Sequence, residues 1–270
     1  MKDFILDLAK KAGQITLNHL GNAKISKKGP KDVVTDADVE VEKFVTQKIK
    51  EKYPEHNIVG EEALYDSTDS HYTWFIDPID GTSNYSHGDP NFAVSIGVAK
   101  DGILIYGCVY IPLYNWMFFA ELNKGAELNG EKINVSKIDQ LTDAMVQLQI
   151  SHLPDTVDAS LEIFKYFTLK ADRARDLGFC AGQLAYVGAG KSDSMIKAYQ
   201  NSWDIAAGIL IVTEAGGVVS DFFGQPITLT NDHNKRYHVV ASNGLLQKEI
   251  LNSLHVDLKH VLEQNKEVLK

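Results

Sequence analysis

Two short apolar runs in this chain end directly in carboxylates. Asn57-Ile58-Val59 leads to Gly60-Glu61-Glu62, and Tyr72-Thr73-Trp74-Phe75-Ile76 leads to Asp77-Pro78-Ile79-Asp80-Gly81-Thr82. Apolar runs of this length read as strands. Strand ends set side by side bring Glu61 toward Asp77, so the fold gathers negative charge at one place. Asp77 and Asp80 are three residues apart around Pro78. A strand-end turn leading into a helix would point both carboxylates into one cleft and turn the amides of Gly81, Thr82 and Ser83 toward a phosphate. Hard divalent cations take oxygen ligands, and magnesium divides its shell among a few carboxylates, water and substrate phosphate. Asp-Pro and Asp-Gly also favour plain turns, so this segment alone leaves turn and cation site both open.

The rest of the chain supports a packed fold around such a cleft. Its 270 residues, 44% hydrophobic and 23% charged, suit a globular protein with a substantial core and not a disordered one. A formal net charge of −9 excludes binding to nucleic acid through a basic face, which needs an excess of Lys and Arg. A small phosphorylated metabolite can still bind where metal ions supply the positive charge. Cys108 and Cys180 fit neither a zinc site nor a disulfide framework and read as buried free thiols. The first residues lack a signal-peptide core, and no apolar run approaches the ~20 residues that span a bilayer, so we expect a cytoplasmic protein with no membrane partner.

Helical spacing is expected over Phe4–Leu20, with Gly21 as its stop, and over Asp36–Lys52, ended by Tyr53-Pro54. A basic loop, Lys24–Lys31, joins them. Strands are expected at Phe92–Ala99, Gly102–Ile111 and Asn115–Ala120, a meander that reads as an antiparallel sheet. Further helices are expected around Ser160–Leu169, Gly182–Ala189, Trp203–Ala215 and Gly244–Leu262, with strands near Ser194–Ala198, Gly217–Ser220 and Tyr237–Ser242. The class is α+β in layers. We expect a single domain over 1–270, with approximate subdomains 1–140 and 141–270.

Three segments that carry the other candidate carboxylates have two readings each. Glu61 and Glu62 suit a solvated loop as well as a site. Asp204, between Trp203 and Ile205-Ala206-Ala207-Gly208, suits a helix N-terminus as well as a cation. Asp36 and Asp38 in Val33-Val34-Thr35-Asp36-Ala37-Asp38 stand where a loop meets a helix, and one of them is suited to capping it.

Taken together, Gly60-Glu61-Glu62, Asp77-Pro78-Ile79-Asp80-Gly81-Thr82, Trp203-Asp204-Ile205-Ala206-Ala207-Gly208 and Thr213-Glu214-Ala215-Gly216-Gly217 resemble the inositol monophosphatase family, in its order and at approximately its spacing. The resemblance runs over nearly the whole chain. It implies a layered α-β-α-β-α sandwich, a homodimer, and a lithium-sensitive phosphatase with two or three magnesium ions. It assigns Glu61, Asp77 and the Ile79 carbonyl to one ion, Asp77, Asp80 and Asp204 to a second, and Glu61 again to a weaker third. Glu61, Thr82 and Asp38 take the catalytic roles: Glu61 and the Thr82 hydroxyl hold the attacking water, and Asp38 accepts a hydrogen bond from Thr82. The implied substrate contacts are Asp80, Gly81, Thr82, Ser83, Gly178, Cys180, Lys197 and Asp204.

The chain departs from the family pattern at the substrate end. Lys197 stands where inositol-cleaving relatives carry an acidic residue, and a cation there favours a second anionic group over a neutral polyol; a solvent-facing strand lysine is the other reading. Phe179 and Cys180 stand where relatives have small or hydroxylated residues, in a stretch that also includes Arg173, Arg175 and Gly178. Fructose 1,6-bisphosphate and NADP are therefore candidates beside inositol monophosphate. Lys24, Lys27 and Lys31 are possible anion contacts or plain surface charges. A regulatory binding protein on the same fold is the non-enzyme alternative.

Overall fold

The computed structural model describes residues 1–29, 32–63, 65, 68–151, 156–259 and 261. Two helices open the chain, α1 (Lys2–His19) and α2 (Asp36–Lys52), separated by an antiparallel hairpin of β1 (Ile25–Gly29) and β2 (Asp32–Thr35). The hairpin replaces most of the expected basic loop, because Ile25 and Ser26 pair in register with Thr35 and Val34. Lys31 lies outside the described residues. Thr35 caps α2: its hydroxyl accepts the Asp38 N–H, while the Asp38 side chain accepts the Thr35 N–H, a reciprocal capping box.

A seven-stranded sheet follows, formed by β3 (Asn57–Gly60), β4 (Tyr72–Asp80), β5 (Ala93–Lys100), β6 (Ile103–Ile111), β7 (Trp116–Glu121), β8 (Gly125–Leu128) and β9 (Glu131–Ile133) in that order. β5 to β7 form the expected antiparallel meander, which β4 on one side and the unexpected β8 and β9 on the other extend, whereas β3 lies parallel to β4 with Gly60 opposite Ile76. A short helix, α3 (Thr82–Ser86), leaves the end of β4. The second sheet takes β10 (Met145–Leu148), β11 (Arg173–Arg175), β12 (Ser194–Gln200), β13 (Val218–Ser220) and β14 (Tyr237–Ser242) in the order β11-β10-β12-β14-β13. Its helices are α4 (Val157–Lys170), α5 (Cys180–Gly188), α6 (Ser202–Glu214) and α7 (Gln247–Asn252), the last followed by a π-helical segment, Ser253–Asp257. The closing helix starts later than the apolar spacing predicts, because Gly244 sits at φ 84°.

Alternation along the strands sorts the layers. Trp74 and Ile76 pack against α1 and α2, while Phe75 between them packs against α5 and α6. Met195, Val239 and Ala241 of the second sheet meet the same two helices, and Ile196 and Val240 face α4 and α7 instead. The result is the layered α-β-α-β-α sandwich. α6 is buried on nearly all sides, as expected of a helix apolar all round. It reaches the first sheet closely through glycines: a Cβ on Gly97 would lie 2.6 Å from Ala206 Cβ, and one on Gly107 would lie 2.5 Å from the Ala207 carbonyl oxygen. Among the described residues, no helix is long and apolar enough to cross a membrane.

Candidate active site

The parallel pairing of β3 and β4 puts Glu61, just past the end of β3, beside Asp77. Their carboxyl groups hydrogen-bond each other. Asp77 ends the regular pairing of β4, and an irregularity in register follows between Asp77 and Asp80. Gly81 then turns the chain at φ 88°, where a Cβ would come within 2.9 Å of both the Asn91 carbonyl oxygen and Phe179 Cβ. A positive φ and this crowding both demand glycine. Thr82 begins α3, and its hydroxyl lies 3.0 Å from Asp38 Oδ1 and 3.0 Å from the Ile79 carbonyl oxygen. Asp38 is fully buried, and its other oxygen accepts from the Thr35 amide at 2.8 Å and the Thr35 hydroxyl at 2.5 Å.

Asp80 reaches across to the second half of the chain. Its Oδ1 accepts the Cys180 N–H at 2.6 Å and its Oδ2 the Gly182 N–H at 3.0 Å, so this carboxylate caps the N-terminus of α5. Asp204, in the first turn of α6, accepts the Asn201 N–H at 2.7 Å and its Nδ2–H at 3.0 Å, both on Oδ2. It is therefore a helix cap and a pocket residue at once. Glu61, Asp77, Ile79, Asp80, Gly81, Thr82, Ser83, Gly178, Cys180, Lys197 and Asp204 line one cavity of about 350 Å³, together with Val33, Asn84, Gln149, Ile150, Asp176 and Gln200. That size suits a small metabolite.

Several expected neighbours fall elsewhere. Phe179 is fully buried, and its ring stands where a Cβ on Gly182 would lie, so it packs the core and does not face a leaving group. Arg173 and Arg175 lie on β11 outside the cavity wall. Lys24, just before β1, and Lys27, on it, are exposed; Lys27 pairs with Val33, which does line the cavity. Lys197 is not solvent-facing: only 3% of it is exposed.

The model of the inositol monophosphatase family matches residues 1–258. The chain belongs to this family. Among its relatives, a Thermotoga maritima protein named fructose-1,6-bisphosphatase/inositol-1-monophosphatase is 37% identical over 92% of this chain and 93% of its own. Human inositol monophosphatase 1 is 35% identical over 94% of each chain. The solved extragenic suppressor protein suhB of Bartonella henselae superposes with a TM-score of 0.87 at 32% identity, covering 94% of this chain and 97% of the other. Membership of the inositol monophosphatase family makes the chain a phosphoric monoester hydrolase.

Electrostatics set the condition under which an inositol monophosphatase pocket of this kind is stable. Burial and the charges of Glu61, Asp80 and Asp204 push the Asp77 pKa well above the carboxylate range. Burial raises Asp80 to about 7 and Asp204 to about 6, against the pull of amide hydrogen bonds and of Lys197. Asp77 Oδ1 is buried with no hydrogen-bond partner. A carboxylate cluster with an unmatched oxygen fits a hard cation. Among the described residues, no three His, Cys, Asp or Glu side chains stand ready to hold an ion by themselves, so a cation here would need further oxygens. The Ile79 carbonyl, water and substrate oxygens would complete any shell.

Besides the cavity-lining Asn84, Gln149, Ile150, Asp176 and Gln200, two residues behind the site were not foreseen from sequence. Glu42 of α2 accepts amides of the Glu61 turn, and His233 bonds the Gly60 carbonyl oxygen. Neither has a local motif, since their partners lie 20 and 173 residues away.

Proposed function

We propose that the chain is a magnesium-dependent phosphomonoesterase that hydrolyses inositol monophosphate, or a similar small phosphorylated metabolite, by attack of an activated water. Asp77 Oδ1, buried and unpartnered among three repelling carboxyl groups, carries this reading. Glu61, Asp77 and the Ile79 carbonyl would hold one ion, Asp77, Asp80 and Asp204 a second, and Glu61 a weaker third. Bound magnesium supplies charge neutralisation at the phosphate and acidification of the attacking water.

The chain's own groups do the positioning. With its proton donated to Asp38, the Thr82 hydroxyl presents lone pairs to the water, and Glu61 accepts from the same water across the cleft. Amides of Gly81, Thr82 and Ser83 face the phosphate at the start of α3. Because Oδ2 of Asp204 is taken by Asn201, Oδ1 is the oxygen left to face the pocket. Phosphate release from a panel of esters, with and without magnesium and with and without lithium, tests the reading; no release from any ester would sink it. We further propose a homodimer, to be checked by sedimentation.

One observation favours a substrate with a second anionic group, such as fructose 1,6-bisphosphate or the 2′-phosphate of NADP. Lys197 is buried on the cavity wall, close enough to stabilise the charges of Asp80 and Asp204. The name of the Thermotoga maritima relative supports the same direction. Replacing Lys197→Glu should lower kcat/KM for a bisphosphate about 10- to 100-fold relative to a polyol monophosphate, the loss expected of one charge-assisted contact. Equal losses for both substrates would count against a contact with the second group.

A further inference from the structure

The turn that carries Glu61 is gripped from two sides. On one side stands Glu42, which is 1% exposed. Its Oε2 accepts the Glu62 N–H at 2.8 Å, and its Oε1 accepts the Ala63 N–H at 2.9 Å and the Tyr65 hydroxyl at 3.0 Å. The Glu61 amide contributes as well. Gly60 is shaped to this neighbour, since a Cβ there would lie 2.7 Å from Glu42 Oε1. Among the described residues, no lysine or arginine forms an ion pair with Glu42. Backbone amides and the Tyr65 hydroxyl therefore satisfy its oxygens, and one buried side chain organises the turn through hydrogen bonds.

On the other side, His233 Nε2 lies 2.6 Å from the Gly60 carbonyl oxygen. A carbonyl can only accept, so Nε2 carries the hydrogen. The imidazole also packs on the Trp203 ring, with centroids 4.3 Å apart. Trp203 is the residue before Asp204, in the first turn of α6. One imidazole thus ties the Glu61 turn of the first sheet to the helix that presents Asp204.

We propose that Glu42 and His233 are positioning residues that fix Glu61 and Asp204 relative to one another and thereby set the protein's affinity for magnesium. The proposal rests on the reading of Glu61 as a cation ligand. Magnesium is titrated into metal-stripped full-length protein, followed by calorimetry and by tryptophan fluorescence, with kcat and KM measured alongside. Glu42→Gln sets an amide against the turn's N–H donors, and His233→Ala removes a donor; each should weaken magnesium binding about tenfold or more, as loss of a ligand-orienting partner does, whereas His233→Gln, which keeps an N–H at similar reach, should stay within about threefold of wild type. Substrate KM at saturating magnesium should be little changed. Wild-type magnesium affinity in both Glu42→Gln and His233→Ala, whatever their melting temperatures, overturns the proposal. Should Glu42→Gln not fold, the two His233 variants decide. Glu61→Gln is the control: wild-type affinity in that variant removes Glu61 as a ligand, a failure of the underlying reading that is distinguishable from failure of the two positioning residues alone.

Discussion

Asp77 concentrates the cost of the pocket in one side chain. It is 3% exposed, ringed by Glu61, Asp80 and Asp204, and has one oxygen without a hydrogen-bond partner. Asp77→Asn keeps the shape and removes the charge, so magnesium-dependent turnover should be abolished while circular dichroism stays that of the wild type. Freed of a buried repulsion, the metal-free variant should also melt higher than metal-free wild type near about pH 8; near-normal turnover would rule out the proposed metal centre. At this scale the sequence was informative wherever a residue sits in a short motif. Asp77, Asp80 and Glu61 follow apolar runs that had to be strands, and Asp204 opens an apolar helix. Glu42 reads in sequence as one more charged residue of an amphipathic helix. Nothing local says that it is buried or what it accepts.

Among the elements, α6 decides how the two sheets meet. Gly97 and Gly107 let it approach the first sheet at backbone distance. Gly107→Ala would put a methyl group 2.5 Å from the Ala207 carbonyl oxygen and 3.1 Å from its Cα, neither of which can rotate away. Overpacking of this kind costs roughly 1–3 kcal/mol. The expected outcome is a lower melting temperature together with a higher magnesium requirement, since Asp204 rides on the first turn of the same helix; an unchanged melting temperature would count against the close seam. The long helices and the long strands β4 to β7 were legible because they carry enough residues to show a period. β8 to β11 have three or four residues each, too few for alternation to register, and pairing with neighbours defines them. The β1–β2 hairpin was hidden by its lysines.

At the scale of the whole molecule, the gathered carboxylates make stability depend on pH and on metal together. In the metal-free protein Asp80 and Asp204 titrate at about 7 and about 6, against an ordinary 3.8. Between these values the folded state holds protons that the unfolded chain has released. Their contribution is therefore complete below about pH 4 and is lost as pH rises through 6 to 7. A tenfold difference in proton affinity between folded and unfolded chain corresponds to about 1.4 kcal/mol, so the loss is on the order of a few kcal/mol. Melting temperatures measured in EDTA should fall from about pH 5 to about pH 8, and saturating magnesium should remove most of that fall. A flat profile in EDTA would mean that burial does not hold Asp80 and Asp204 above the ordinary carboxylate range.

The bonds from Asp80 to α5 have a consequence for how such a pocket changes over generations. Asp80 is held by the backbone N–H groups of Cys180 and Gly182, and a backbone donor is indifferent to the side chain attached to it. Position 180 can therefore exchange its thiol for another small group without loosening the carboxylate, while the wall of the cavity changes. The lining of the cavity and the seat of Asp80 thus depend on different atoms of the same residue, and selection can alter the first while leaving the second in place.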